Sequence, residues 1–339
     1  MFLFGEKRIV GIDIGSSAIK IAEMKKKKKE FFLENYAILF SGKEFSKEPL
    51  FSLKEEKLAH LLKKALNKAK ITEKKISFSL PPASTFFTTI SMPHFSQREL
   101  PEAIQLQASK YIPFSSKEAI IEWEIIKKTE KEIKILLSAT PKKIIEKYEK
   151  IAEFSGLILF SLENEAYLEA ELLGKKEYPL LIIDFGGKVT NFIISSQGKV
   201  KSTFFIEIGV EDFVRALSEK MNLSWQRSQK MLFKNGIFHP QIKESSQAIL
   251  EKISFSLERE LENFKNSLGE TIKEIIFTGG GTQVPGILDY FEKRFEKKVS
   301  IANPFSKINC PENFEEKVAQ FKIYFSGAVG SALSSLAKM

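Results

Sequence analysis

Two acidic turns of one form, Asp13-Ile14-Gly15-Ser16-Ser17 and Asp184-Phe185-Gly186-Gly187, carry the residues of this chain best suited to chemistry. A third glycine run, Gly279-Gly280-Gly281, follows far downstream. In each acidic turn an apolar stretch, Arg8 to Ile12 or Leu180 to Ile183, ends in residues with small side chains. Backbone N–H groups can there close on a phosphate while the carboxylate, a hard oxygen donor, faces Mg²⁺. One Asp-x-Gly alone marks an ordinary turn. Two copies, each followed by a second strand-like stretch (Ala18 to Met24; Val189 to Ile194), read as one hairpin made twice, a repeat on the scale of a lobe. Two phosphate loops and one nucleoside loop suggest a bilobal nucleotide clamp. Asp13 and Asp184 are its candidate metal ligands. Gly15, Ser16, Ser17 and Lys20 are candidate β- and γ-phosphate contacts, answered from the other lobe by Gly186, Gly187 and Thr190. For Lys20 a solvated strand lysine is the competing reading. Gly279, Gly280 and Gly281 lack Cβ atoms, so their backbone can lie against a purine and ribose, with Thr282 or Gln283 adding a polar contact.

The elements that position these residues follow from periodicity. Strands run to about Leu39, then a Phe- and Lys-rich loop leads to a helix over Lys54 to Lys70 with Leu58, Leu61, Leu62, Ala65 and Leu66 on one face. A strand over Ile76 to Leu80 is broken by Pro81-Pro82. An inserted segment extends to about Ser155: strand Thr85 to Met92, helix Gln97 to Lys110, strands Ile120 to Lys127 and Ile133 to Ala139, helix Pro141 to Phe154. A strand and helix over Ile158 to Leu173 return to the first lobe, and the second lobe begins at Tyr178. There, helix Val210 to Met221 and a helical excursion, Ser224 to Leu268, precede strand Glu274 to Thr278. A small-residue helix, Tyr324 to Met339, crosses back to the first lobe. The expected division is residues 1–80 with 156–177 and 326–339 for the first lobe and 81–155 for an α+β insertion. The second lobe takes 178–222 with 273–325, and its helical subdomain 223–272.

At 339 residues with an apolar fraction of 43%, the chain exceeds one ordinary core. The net charge of +9, from 52 basic against 43 acidic residues, is spread among acids, so nucleic-acid binding is not expected. The basic run Lys25 to Lys29 reads as a solvated hairpin tip or an auxiliary contact with anionic lipid headgroups. Cys310 is the only cysteine, which excludes an internal disulfide, and three His are too few for a zinc site. No apolar run is long enough for a membrane span, and Met1 to Arg8 lacks the pattern of a signal peptide; a cytoplasmic location is expected.

The duplicated hairpins resemble the actin-like ATPase superfamily, an α/β fold of two related lobes around an interlobe nucleotide cleft. The chain is most similar to its FtsA/PilM branch, and there to the type IV pilus assembly family PilM. The segments that carry this are Phe4-Gly5, Val10 through Lys20, Tyr111-Ile112-Pro113-Phe114, Gly279-Gly280-Gly281 with Pro285-Gly286, and Asn303-Pro304-Phe305. The resemblance implies ATP or ADP with Mg²⁺, held by Asp13 and Asp184 mostly through metal-bound water, and a small insertion serving assembly. It implies an assembly component at the inner membrane, peripheral to it through the cytoplasmic N-terminal segment of a PilN-like bitopic membrane protein, with self-association open. The extended peptide would lie where the insertion meets the first lobe, at Pro81, Pro82, Tyr111, Ile112, Pro113 and Phe114.

The chain departs from the family pattern at Val189, where a hydroxyl is common, and on the helix Trp225 to Lys234. There the family motif A-E-x-x-K meets Ser228, Gln229 and Leu232. Gln229 can still hydrogen-bond a ribose; Leu232 cannot. Glu163 and Glu165 fall where some relatives orient the attacking water, and equally where acids complement a helix dipole. An FtsA-like membrane filament protein is the alternative, although the chain stops directly after the cross-lobe helix, at Met339, which leaves no amphipathic tether. A small-molecule kinase is a further alternative, disfavoured because the insertion contains no Asp to act as base.

Overall fold

The computed structural model describes residues 6–41, 49–96 and 98–339. Phe4-Gly5, most of the Phe- and Lys-rich loop, and Gln97 lie outside them. Stretches apolar at successive positions become central strands. In β1 (Lys7–Ile14) every residue from Ile9 to Ile14 is buried. β2 (Ala18–Lys27) and β3 (Glu30–Phe40) continue as a meander, followed by α1 (Glu55–Lys68) and β4 (Lys75–Leu80). β5 (Phe86–Met92), α2 (Leu100–Tyr111), β6 (Ala119–Lys128) and β7 (Ile133–Pro141) form the inserted module. Next come α3 (Lys142–Ser155), β8 (Ile158–Asn164) and α4 (Glu165–Leu173). The second hairpin is β9 (Leu180–Phe185) and β10 (Thr190–Ser196), extended by β11 (Lys199–Ile206). Helices α5 (Val210–Met221), α6 (Trp225–Asn235) and the long α7 (Pro240–Leu268) precede β12 (Glu274–Thr278). The chain closes with α8 (Ile287–Phe295), β13 (Lys298–Ile301), β14 (Ile308–Asn309), α9 (Glu312–Phe321) and α10 (Ser326–Lys338).

Three sheets result, in strand orders β14-β3-β2-β1-β4-β8, β11-β10-β9-β12-β13 and β5-β7-β6. The repeat is visible in the pairing. β1 pairs antiparallel with β2 and parallel with β4, as β9 pairs antiparallel with β10 and parallel with β12. Each acidic residue therefore stands at the C-terminal end of the middle strand of three, with Asp13 opposite Ser79 and Asp184 opposite Thr278.

Two helices join the lobes. Ala166 and Ala170 of α4 pack in the core of the second lobe, and α10 lies across β1 and β2 of the first, with Ala328 and Ala332 in its core. The small residues of α10 are needed for this approach. A Cβ on Gly11 would fall 1.9 Å from the Ala328 carbonyl oxygen, and one on Gly330 3.0 Å from Leu168 Cβ.

Two segments pack elsewhere than expected. α3, expected in the insertion, buries Tyr148, Ile151 and Ala152 with Leu58 and Leu62 of α1 in the first-lobe core. The insertion closes its own core with α2 alone, around Ile104, Ile135 and Leu137. The region from Phe305 onward, expected in the second lobe, returns early. β14 pairs parallel with β3, and Phe305, Ile308 and Val318 pack on Ile9 and Met24.

Candidate functional site

Asp13 and Asp184 line one cleft between the lobes, open to solvent. Gly15, Ser16, Ser17 and Lys20 line it from the first lobe, Gly186, Gly187 and Gln229 from the second, and Gly279, Gly280 and Gly281 from the loop after β12. The first hairpin turn touches the other lobe twice: Ser17 Oγ donates to Glu211 Oε1 at the start of α5 at 2.6 Å, and the Lys188 N–H of the second hairpin turn donates to Ser16 Oγ at 3.3 Å. A Cβ on Gly187 would sit 2.0 Å from Ser17 Oγ, so glycine is what allows this approach.

Charge concentrates at the floor. Lys20, not a solvated lysine, donates to Asp13 Oδ2 at 2.7 Å. Burial works against its ammonium, yet the carboxylates of Asp13, Glu165 and Asp184 outweigh it and hold its pKa above the ordinary lysine value. Asn164 caps α4 by accepting from the Ala166 N–H at 2.9 Å, which fixes Glu165 at the first helical position, facing the cleft. Burial, then the charges of Asp13 and Asp184, push the Glu165 carboxyl well above the usual carboxylate range. Glu169, one turn later, is fully buried and pushed the same way by burial and by Asp184. Asp184 is also raised, by burial, against the pull of Lys20 and of Asn191, whose Nδ2 donates to Asp184 Oδ2 at 3.0 Å.

Several expected contacts lie elsewhere. Thr190 is buried and its hydroxyl donates to the Ile208 carbonyl at 2.6 Å, because strand alternation turns it away; Val189 and Asn191 face the cleft instead. Thr282 donates to the Gly279 carbonyl and stabilises its own turn, outside the cleft lining. Glu163 also stands off, accepting from Ser334 Oγ at 2.8 Å and pairing with Lys338 of α10. Leu232 is buried in the second-lobe core, while Phe233 beside it lines the cleft. The three downstream glycines are required by protein neighbours as well. Cβ atoms there would meet Asp184 Oδ1 and the Phe185 carbonyl (Gly279), the Tyr324 ring (Gly280) and the Phe185 ring (Gly281). Sequence reasoning missed Asn191, Glu211, Phe40, Phe233 and Tyr324, which no short motif marks.

The six peptide-site candidates divide. Pro81 and Pro82 line the cleft, whereas Pro82, Pro113 and Phe114 line a second, more apolar groove with Phe86, Phe87 and Phe205. It runs between β5 and β11, each the edge strand of its sheet. Ile112 is core of the inserted module, and Tyr111, 46% exposed, points away from the groove lining.

Comparison with known proteins agrees with this architecture. Residues 11–336 match the family model for type IV pilus assembly protein PilM. Among solved structures, a chain of a PilM-PilN type IV pilus biogenesis complex superposes with a TM-score of 0.82 at 18% identity, covering 97% of this chain and 98% of that one. MreB5 of Spiroplasma citri bound to AMPPNP superposes with a TM-score of 0.52 at 14% identity, over 93% and 98% of the two chains. Among curated proteins, the cell division protein FtsA of Enterococcus hirae is 23% identical over 195 residues, 50% of this chain and 44% of its own length. The chain thus spans less than half the length of the FtsA relatives it matches. The family match covers nearly all of the chain, including both hairpins and the cleft between them, and the chain belongs to the type IV pilus assembly protein PilM family.

Proposed function

We propose that this chain is an ATP-binding assembly component of a type IV pilus inner-membrane platform, held at the membrane by the cytoplasmic N-terminal tail of a PilN-like bitopic protein. The observation that carries the nucleotide half is the cleft itself, where two Asp-x-Gly hairpins face each other over a half-buried lysine. Lys20 and the turn at Gly15 to Ser17 would bind the phosphates from one lobe, and Gly186 and Gly187 from the other. Gln229, Phe233 and Tyr324 would flank the nucleoside. Asp13 is already satisfied by Lys20, so Asp184 and Glu165 are the carboxylates better placed for a divalent cation. Such an ion would supply charge neutralisation between phosphate oxygens. The hard carboxylate oxygens of Asp184 and Glu165, both in the cleft lining, fit that demand.

The partner half is supported by the superposition on a PilM-PilN complex and by the apolar groove between β5 and β11. Two open strand edges offer backbone pairing to an extended peptide, and Phe114 and Phe205 offer apolar contact. No helix among the described residues is long and apolar enough to cross a membrane, so a membrane role would run through a partner.

Calorimetric titration tests both halves. Mg·ATP should bind the purified chain and bind Asp184→Ala more weakly. A peptide copying the N-terminal cytoplasmic tail of a PilN-like protein should bind the parent and lose affinity in Phe205→Ser. Unaltered affinity in both variants would refute the assignment.

A further inference from the structure

The floor of the cleft holds more carboxylate than the nucleotide reading uses. Glu169 is fully buried on α4, and neither of its side-chain oxygens has a hydrogen-bond partner of ordinary geometry. The Ser326 hydroxyl is near enough only to ease its charge. Glu165, Glu169 and Asp184 each present an oxygen within 4.8 Å of the other two. A cation centred among them would stand no more than about 2.8 Å from each, a few tenths of an ångström beyond the ligand distances of hard divalent ions. A separate observation points to the same spot. The amide of Asn191, only 5% exposed, donates through Nδ2 to Asp184 while its Oδ1 is without a partner.

A buried carboxylate with no donor is costly unless it is neutralised. Lys20, the ammonium that acts on Glu169 among the described residues, is already ion-paired with Asp13. We propose that Glu165, Glu169 and Asp184, with the amide oxygen of Asn191, form a divalent-cation site that fills without nucleotide. Glu169 is the residue that distinguishes it from the pair Asp13 and Asp184 expected from the sequence, since it adds a ligand behind the cleft rather than within it. The ligand set is all oxygen, with no sulfur or imidazole, which selects Mg²⁺, Mn²⁺ or Ca²⁺ over zinc. The ion would tie α4 to β9 of the second lobe with the cleft otherwise free, and the inference stands independently of ATP binding.

The test is a Mn²⁺ titration of chelator-stripped, nucleotide-free protein, followed by electron paramagnetic resonance of the free ion. The parent should take up about one Mn²⁺, and Glu169→Gln should weaken binding by about tenfold or more. With chelator present, Glu169→Gln should melt at or above the parent, because an uncharged amide costs less to bury. Mn²⁺ should then raise the melting temperature of the parent alone. Should Glu169→Gln fail to fold, Glu169→Asp carries the test with the same required loss. A parent that takes up no Mn²⁺, or a variant that binds it like the parent, overturns the proposal and makes Glu169 a protonated carboxyl. ATP is titrated separately into the parent, so failure of nucleotide binding with Mn²⁺ uptake intact counts only against the nucleotide reading.

Discussion

Lys20 and Asp13 form a pair with side chains 16% and 4% exposed, and removing one partner strands the other in a poorly solvated site. Lys20→Ala should destabilise the protein by less than the roughly 3–5 kcal/mol of breaking a fully buried pair, since the ammonium keeps some solvent contact, and should also weaken ATP binding. Thermal melting and calorimetry on one preparation separate the two effects. A Lys20→Ala protein that melts like the parent would mean that Asp13 finds other solvation. Glu165 leads to a second expectation. Burial, then the charges of Asp13 and Asp184, raise its carboxyl, and beside Asp184 it is placed to hold a cation rather than to orient water. Turnover should lie far below the ~1–10³ s⁻¹ of typical enzymes, and Glu165→Gln should show itself chiefly as weaker Mg·ATP binding in calorimetry. Turnover of several per second, lost in that variant, would reverse the assignment. At this scale the sequence exposes residues that lie in a motif, such as Asp13, Lys20, Asp184 and the glycines. Asn191, Glu211 and Glu169 stay hidden, because strand parity and an interlobe contact bring the first two to the cleft and one helical turn places the third behind it.

Among the elements, α10 against β1 sets the tightest tolerance. Gly11→Ala would place its Cβ 1.9 Å from the Ala328 carbonyl, and overpacking of this kind costs about 1–3 kcal/mol. Gly156, the left-handed cap of α3 at φ +70°, has nothing within 4 Å of its would-be Cβ, so an alanine there meets only the backbone strain of a left-handed residue, about 1 kcal/mol. Denaturant melts should therefore show Gly11→Ala as the more damaging substitution, and the opposite ranking would mean α10 can shift. Element identity was legible where periodicity was clean. β1 and β9 are apolar runs closed by Asp-x-Gly, and α1 shows one apolar face. β11, β13 and β14 were not, because their pairing is set by long-range partners; β14 is two residues long and pairs with Phe31 and Phe32 across the chain. The placement of α3 was illegible for a related reason. Its apolar face would suit either the insertion or α1, and only the tertiary arrangement decides.

Across the whole molecule, the two lobes are held closed at the cleft mouth by Ser17 with Glu211 and by Ser16 with Lys188. Deleting the Glu211 carboxylate removes a short hydrogen bond between lobes while leaving both cores intact. Glu211→Ala should therefore enlarge the radius of gyration of the nucleotide-free protein in X-ray scattering, and saturating Mg·ATP should return it toward that of the parent. Identical scattering profiles without nucleotide would assign closure to α4 and α10 alone.

Pro82 and Ala83 line both the interlobe cleft and the apolar groove between β5 and β11. A wall shared by two sites gives their occupancies a route to thermodynamic linkage. If nucleotide shifts this short segment, the affinity for a peptide in the groove must change, and the peptide must alter nucleotide affinity by the same factor. Couplings of this kind are typically worth about 1–3 kcal/mol. Titrating tail peptide with and without Mg·ATP, then Mg·ATP with and without peptide, should give two equal ratios that differ from one. In a membrane platform that equality would let the ATP supply grade how tightly the protein holds its anchor with no hydrolysis, a rheostat in place of a motor.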